Sequence, residues 1–182
     1  MLEDSIERVI VYRDTIKARV KELADEISMD YRDKDLLLIC VLKGGVVFLS
    51  DLMREIDMTV DVDFMLVSSY GSGTKSSGKV KILKDLDESI EGRHVLIVED
   101  LIDTGLTLKH LKDLLFTRDP ASVSVCTIFD KPARRLVDME LEYVGIEIPD
   151  EFVVGYGLDY EGKYRNLQDL CTLKPGFYTQ KP

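Results

Sequence analysis

The run Asp35–Leu42 (DLLLICVL) sets the first constraint on how this chain folds. It is apolar without alternation, the pattern of a central parallel strand covered on both faces. Lys43-Gly44-Gly45 ends it, and Val46 to Ile56 reads as a helix. The motif recurs. Val95 to Glu99 reads as a strand with a helix over Thr107 to Phe116 behind it. Ser122 to Phe129 reads as another strand, ending in Asp130-Lys131-Pro132. Val60 to Val67 supplies a further strand and Tyr143 to Ile148 a short final one. Such alternation indicates an α/β fold around a mostly parallel sheet. Ile6, Val9, Ile10, Ile16, Val20, Leu23, Ala24 and Ile27 recur at helical spacing, which predicts an opening amphipathic helix.

At 182 residues, with 45% hydrophobic and 32% charged, the sequence predicts one soluble domain, 1–182, with a sizeable core. A formal net charge of −10 argues against a general grip on nucleic acid or an anionic membrane. No apolar run reaches membrane-spanning length, and the acidic start Met1 to Ile6 lacks a signal-peptide pattern. The three cysteines, Cys40, Cys126 and Cys171, lie far apart and read as small buried hydrophobes of a reducing cytoplasm. With only His94 and His110, a histidine triad or histidine metal cluster is disfavoured.

The chemistry concentrates in Val95–Leu108 (VLIVEDLIDTGLTL). A hydrophobic run meets the adjacent carboxylates Glu99 and Asp100. Asp103 then opens a loop, Thr104-Gly105-Leu106-Thr107, before a helix. In an open α/β sheet, ligands bind beyond the carboxyl ends of the strands. Free N–H groups at a helix start favour phosphate. Carboxylates beside a phosphate loop repel it unless a cation or sugar hydroxyls intervene. The stretch therefore reads as a site for a phosphorylated sugar with a divalent cation. No Lys follows the glycine, so it is not the ATP-binding P-loop pattern.

Other candidates have plain readings beside functional ones. Lys43-Gly44 is a tight turn with an exposed lysine, or a backbone nest plus a cation suited to pyrophosphate. Ser68 to Gly78 (SSYGSGTKSSG) is an ordinary Gly/Ser loop or a lid, with Tyr70 its one side chain able to pack. Lys131 is a surface lysine or, fixed by Pro132, points at a ligand. Arg134 and Arg135 read as the start of a solvated helix or turn. Phe152-Val153 reads equally as core or as a ligand-stacking element. Asp150 to Arg165 reads as irregular cover, in which Asp159 and Arg165 have no reading of their own.

In this order the pieces resemble the hypoxanthine-guanine phosphoribosyltransferases, purine-salvage enzymes of the type I phosphoribosyltransferase fold. The resemblance runs from Leu42-Lys43-Gly44 to Arg165. VLIVEDLIDTGLTL is similar to that family's signature for 5-phosphoribosyl-1-pyrophosphate (PRPP). SSYGSG, VKILKDLD, DKPARR and DEFVVGYGLDY resemble the 6-oxopurine branch. The resemblance implies a small hood from about 150 to 182 with N-terminal contributions, and a lid over 68–78 carrying Ser69 and Tyr70. It implies that Glu99 and Asp100 hold the ribose hydroxyls and Mg2+, and that Asp103 is the general base. Residues Asp103, Thr104, Gly105, Leu106 and Thr107 would wrap the 5′-phosphate. Lys43 and Gly44, joined to Leu42 through a cis peptide, would contact pyrophosphate together with Arg165. Lys131 would donate to the purine 6-oxo group, Phe152 would stack on the ring and the Val153 backbone would read its edge. Asp159 would hold a second Mg2+. Leu106 stands where some relatives carry a polar residue, so phosphate binding there would rest on backbone and threonines.

The implied activity is a cytoplasmic pentosyltransferase, a homodimer or homotetramer. It converts hypoxanthine or guanine with PRPP to IMP or GMP and pyrophosphate. An alternative of another class is a phosphoribosyltransferase-fold regulator that binds RNA or DNA. The acidic charge and the presence of both Asp103 and Lys131 place it behind the enzyme. A phosphoacceptor receiver domain leaves the lid and the Lys-Pro turn unexplained.

Overall fold

A computed structural model describes residues 2–69 and 80–178. Its centre is a six-stranded sheet in the order β4-β3-β2-β5-β6-β7. The strands are β2 (Leu36–Leu42), β3 (Asp61–Ser69), β4 (Val80–Lys84), β5 (His94–Ile102), β6 (Ser122–Asp130) and β7 (Tyr143–Glu147). All neighbouring pairs are parallel except β3 with β4, which is antiparallel. Helices α1 (Arg13–Asp30), α2 (Val46–Glu55) and α3 (Leu106–Phe116) cover it.

The unalternating run in β2 follows from this layering. Leu36, Leu38 and Cys40 join one core cluster with Ile16, Val20 and Leu23 of α1 and Phe48, Leu49 and Leu52 of α2. Leu37, Ile39 and Val41 join another with Leu108, Leu111 and Leu115 of α3. Full burial of each Val, Leu, Ile or Phe among them contributes ~1.5–3 kcal/mol. All three cysteines are buried and unpaired, and burial pushes the Cys40 thiol up to about 12.

The N-terminal expectation needs correction. The helix begins at Arg13, and Ile6–Val11 is a strand, β1, antiparallel to β8 (Leu170–Leu173) in a separate two-stranded sheet. The register shifts between Ile6 and Arg8 and again between Val9 and Val11. Such bulges erase the two-residue alternation that marks a strand. Ile6 and Val9 consequently pack with Val154, Cys171 and Leu173, whereas the helical positions from Ile16 onward face α2 and the main sheet. Asp169, just before β8, accepts the Arg13 N–H at 2.7 Å and so supplies the cap that Tyr12 does not.

Two further differences bear on function. Strand β5 does not stop at Glu99 but continues through Asp100 to Ile102, with Leu101 opposite Phe129 and Ile102 opposite Asp130. The segment 150–165 is irregular, as expected, with Gly155 and Gly157 both at positive φ.

Candidate active site

The candidate residues from β2, β5, β6 and the irregular cover meet at one edge of the sheet. Past β2, the Leu42–Lys43 peptide is cis. Next to it, a Cβ on Gly44 would stand only 1.6 Å from Asp100 Oδ2, so the Asp100 carboxylate lies against bare backbone. The cover approaches the same point: a Cβ on Gly157 would stand 2.3 Å from the Gly44 carbonyl oxygen. Glycine is required at both positions, and Gly157 also has a φ of 97°.

Glu99 and Asp100 are partly exposed at the surface, yet protein surrounds their carboxyls. Burial pushes Asp100 up to about 6 despite the Leu101 N–H, which donates to Oδ1 at 2.9 Å. Burial, reinforced by the neighbouring Asp100, raises Glu99 well above the ordinary range. Arg165 favours the charged form of Asp100 and Asp159 opposes it. Arg165 and Asp159 also pair with each other at 2.5 Å, while Arg165 donates to the Gly157 carbonyl at 2.6 Å. The Gly162 N–H donates to Asp159 Oδ2 at 2.7 Å. Among the described residues, no three carboxylates, histidines or cysteines form one metal-binding group.

Beyond β5, a cavity of about 130 Å³ is lined by Glu99, Leu101, Ile102, Asp103, Thr104, Gly105, Thr107 and Leu108. Gly105, at φ 78°, turns the chain into α3, whose first N–H, on Leu106, points back to Thr104 Oγ1 at 3.4 Å. Leu106 thus opens the helix without a polar side chain. The loop leaves backbone N–H groups and hydroxyls where an anion is favoured. A separate cavity of about 480 Å³ lies between α1, α2 and residues 165–168, and shares none of these loop residues. Carboxylates, threonines and a helix start converge in the smaller one.

The turn after β6 is clamped onto this loop. Lys131 N–H donates to the Ile102 carbonyl and Leu136 N–H to the Thr104 carbonyl, both at 3.0 Å. Lys131 is buried, and its Nζ donates to the Glu151 carbonyl at 2.6 Å. Burial lowers its pKa, with Asp103 and Asp150 pulling the other way. Lys131 is therefore no plain surface lysine. Arg134 and Arg135 are not simply solvated either. Arg134 Nε stands 2.8 Å from Asp103 Oδ1 and its Nη1 3.3 Å from Asp150, while Arg135 pairs with Asp130. Asp103 Oδ1 is buried and receives no aligned hydrogen bond. The sequence signal for these arginines was their place directly after Lys131-Pro132, at the ligand edge of a strand.

Val153 is buried, whereas Phe152 is 36% exposed, so the pair divides between core and surface. Ser69 ends β3 opposite Val80, but Tyr70 and the rest of the expected lid lie outside the described residues.

An open parallel sheet with a helix-start loop and paired carboxylates beyond one strand is the arrangement of a nucleotide- or sugar-phosphate-binding α/β protein. The family model for a phosphoribosyl transferase domain matches residues 12–161. A hypoxanthine-guanine phosphoribosyltransferase of Streptococcus thermophilus is 49% identical over 180 residues, covering 99% of this chain and 100% of the relative. A solved hypoxanthine phosphoribosyltransferase from Staphylococcus aureus superposes with a TM-score of 0.95 at 47% identity, covering 98% of this chain and 97% of its own. A Trypanosoma cruzi hypoxanthine phosphoribosyl transferase follows at a TM-score of 0.90 and 43% identity, covering 96% and 94%. Its structure addresses the role of the C-terminal region in oligomeric state and enzymatic activity. The chain belongs to the phosphoribosyl transferase family, in its hypoxanthine-guanine phosphoribosyltransferase branch.

Proposed function

We propose that this chain transfers the 5-phosphoribosyl group of PRPP to N9 of hypoxanthine or guanine, giving IMP or GMP and pyrophosphate. The observation that carries the reading is the juxtaposition of Asp103 and buried Lys131 at neighbouring strand ends, clamped by the Lys131-to-Ile102 hydrogen bond. PRPP would lie along β2 and β5. Its 5′-phosphate would sit in the Asp103–Thr107 loop, its ribose hydroxyls on Glu99 and Asp100, and its pyrophosphate near Lys43, Gly44 and Arg165. The purine would lie between the Lys131 turn and Phe152, its edge read by the Val153 backbone.

In the reaction the glycosidic C1–O bond to pyrophosphate breaks and the C1–N9 bond forms. Asp103 accepts the proton the purine must lose, a general-base contribution of ~10²–10⁴-fold. Lys131 can only donate, so it suits a 6-oxo group and leaves a 6-amino group poorly matched. The lid over 68–78, with Ser69 and Tyr70, would exclude water from the activated sugar.

Mg2+ fits the residues present. Glu99 and Asp100 are adjacent hard oxygen donors, and burial disfavours the charged form of both, so a bound cation would stabilise it. Mg2+ commonly takes one or two carboxylates and completes its shell with substrate oxygens and water. Glu99 and Asp100 would hold one ion and Asp159 a second. Bound there, Mg2+ would supply Lewis-acid charge neutralisation for the leaving pyrophosphate.

We further propose a single domain over 1–182 with its hood at 150–182, cytoplasmic, and assembled as a homodimer or homotetramer. Among the described residues no helix is long and apolar enough to cross a membrane. The reading is tested by following pyrophosphate release from PRPP with hypoxanthine, with and without Mg2+. Release that depends on both purine and Mg2+ supports it. Release without purine, or none at all, removes it. RNA or DNA binding in place of turnover would favour the regulator instead.

A further inference from the structure

The ring of Phe152 is held by two tyrosines. Tyr178 stacks on it nearly parallel, with centroids 5.2 Å apart and an interplanar angle of 13°. Tyr160 meets it edge-on at 5.7 Å and 86°. Tyr160 and Tyr178 also meet edge-to-face at 6.3 Å, which closes a three-ring cluster. Both tyrosines pack against the Val154, Cys171 and Leu173 cluster, together with Ile6 and Val9 of β1. Tyr178 thus approaches Phe152 from the segment after β8. An aromatic ring has two faces for stacking, and Tyr178 takes one of them. Phe152 is still 36% exposed, so part of the residue remains open to a ligand.

We propose that Tyr178 is a positioning residue for purine binding, fixing the plane of Phe152 so that the base stacks on its opposite face. This rests on Phe152 being the purine-stacking residue. Without the tyrosine, Phe152 regains rotamer freedom and each binding event must order it again. Purine binding then weakens, while PRPP, held by β2 and β5, is unaffected.

The test is steady-state kinetics of Tyr178→Ala, Tyr178→Phe and Phe152→Ala with hypoxanthine and PRPP varied separately. The expected result for Tyr178→Ala is a hypoxanthine KM raised roughly three- to tenfold, the scale of one aromatic pair. PRPP KM and thermal midpoint stay near wild type, and Tyr178→Phe restores the purine KM because it keeps the stacked ring. An unchanged purine KM in Tyr178→Ala overturns the proposal, as does an equal rise for both substrates. A lowered purine KM also overturns it, since the tail would then block the base site. Phe152→Ala separates the two levels. If it raises the purine KM and Tyr178→Ala does not, only the positioning role fails. If it leaves the purine KM unchanged, the stacking role fails with it.

Discussion

Arg134 Nε stands 2.8 Å from Asp103 Oδ1, and the contact joins the turn after β6 to the loop after β5. Both side chains are nearly half exposed, at 47% and 43%. Ion pairs of that exposure are worth about 0.2–1 kcal/mol. The pair therefore aligns the loop without determining the chemistry.

The consequence is a contrast between two variants. Asp103→Asn removes the proposed proton acceptor and is expected to lower kcat by about 10²–10⁴-fold. Arg134→Ala is expected to lower kcat/KM less than about fivefold. Steady-state rates with saturating PRPP check both. Undiminished turnover in Asp103→Asn would remove Asp103 as the base.

Lys131 is anchored by its 2.6 Å hydrogen bond to the Glu151 carbonyl. A hydrogen bond to a charged group is worth about 1.5–3 kcal/mol, or roughly ten- to hundredfold in affinity. Lys131→Met should raise the hypoxanthine KM by that factor with little change for PRPP. Separate titration of the two substrates checks it, and a rise confined to PRPP would contradict the assignment.

Gly44→Ala places a methyl group where Asp100 Oδ2 now lies, 1.6 Å away. Either the carboxylate or the loop must move. The variant should keep its circular-dichroism spectrum and lose at least about 10²-fold in kcat/KM for PRPP, the scale of a misplaced positioning group. Near-normal PRPP use would show that the close approach does not matter.

Asp63 provides a pH-dependent lock between β3 and β4, the strands flanking residues 70–79. Burial alone would raise its carboxyl. The Asp87 and Phe64 N–H groups, at 2.8 and 2.6 Å, and Lys84 at 3.2 Å outweigh that and hold it below the ordinary value of 3.8. A carboxyl lowered in the fold binds fewer protons there than in the unfolded chain. Its stabilisation is full above the unfolded value and lost as pH falls through the folded one. Thermal melts should show Asp63→Asn less stable than wild type at pH 6, the gap shrinking toward pH 3. A gap constant with pH would contradict the lock.

Much of this was legible in the residues. The apolar runs of β2, β5 and β6 are buried on both faces, so their composition alone marks them. The combination of Glu99, Asp100, Asp103 and Gly105 points to a candidate site, and Glu99, Asp103 and Gly105 do line one cavity. Strand β1 was hidden because its bulges break the alternation and its partner β8 lies more than 150 residues away in sequence. The contacts of Arg134, Asp150 and Tyr178 depend on long-range packing. A lone arginine after a turn, or a tyrosine near the end of a chain, looks the same whether or not it touches another residue of the site.

The most direct measurement is a competition among hypoxanthine, guanine, xanthine and adenine with PRPP and Mg2+, reading nucleotide formed from each. Turnover of hypoxanthine or guanine and exclusion of adenine are expected, because Lys131 offers only donors at the 6-position. Adenine preferred over both, or no nucleotide from any 6-oxopurine, would contradict that expectation.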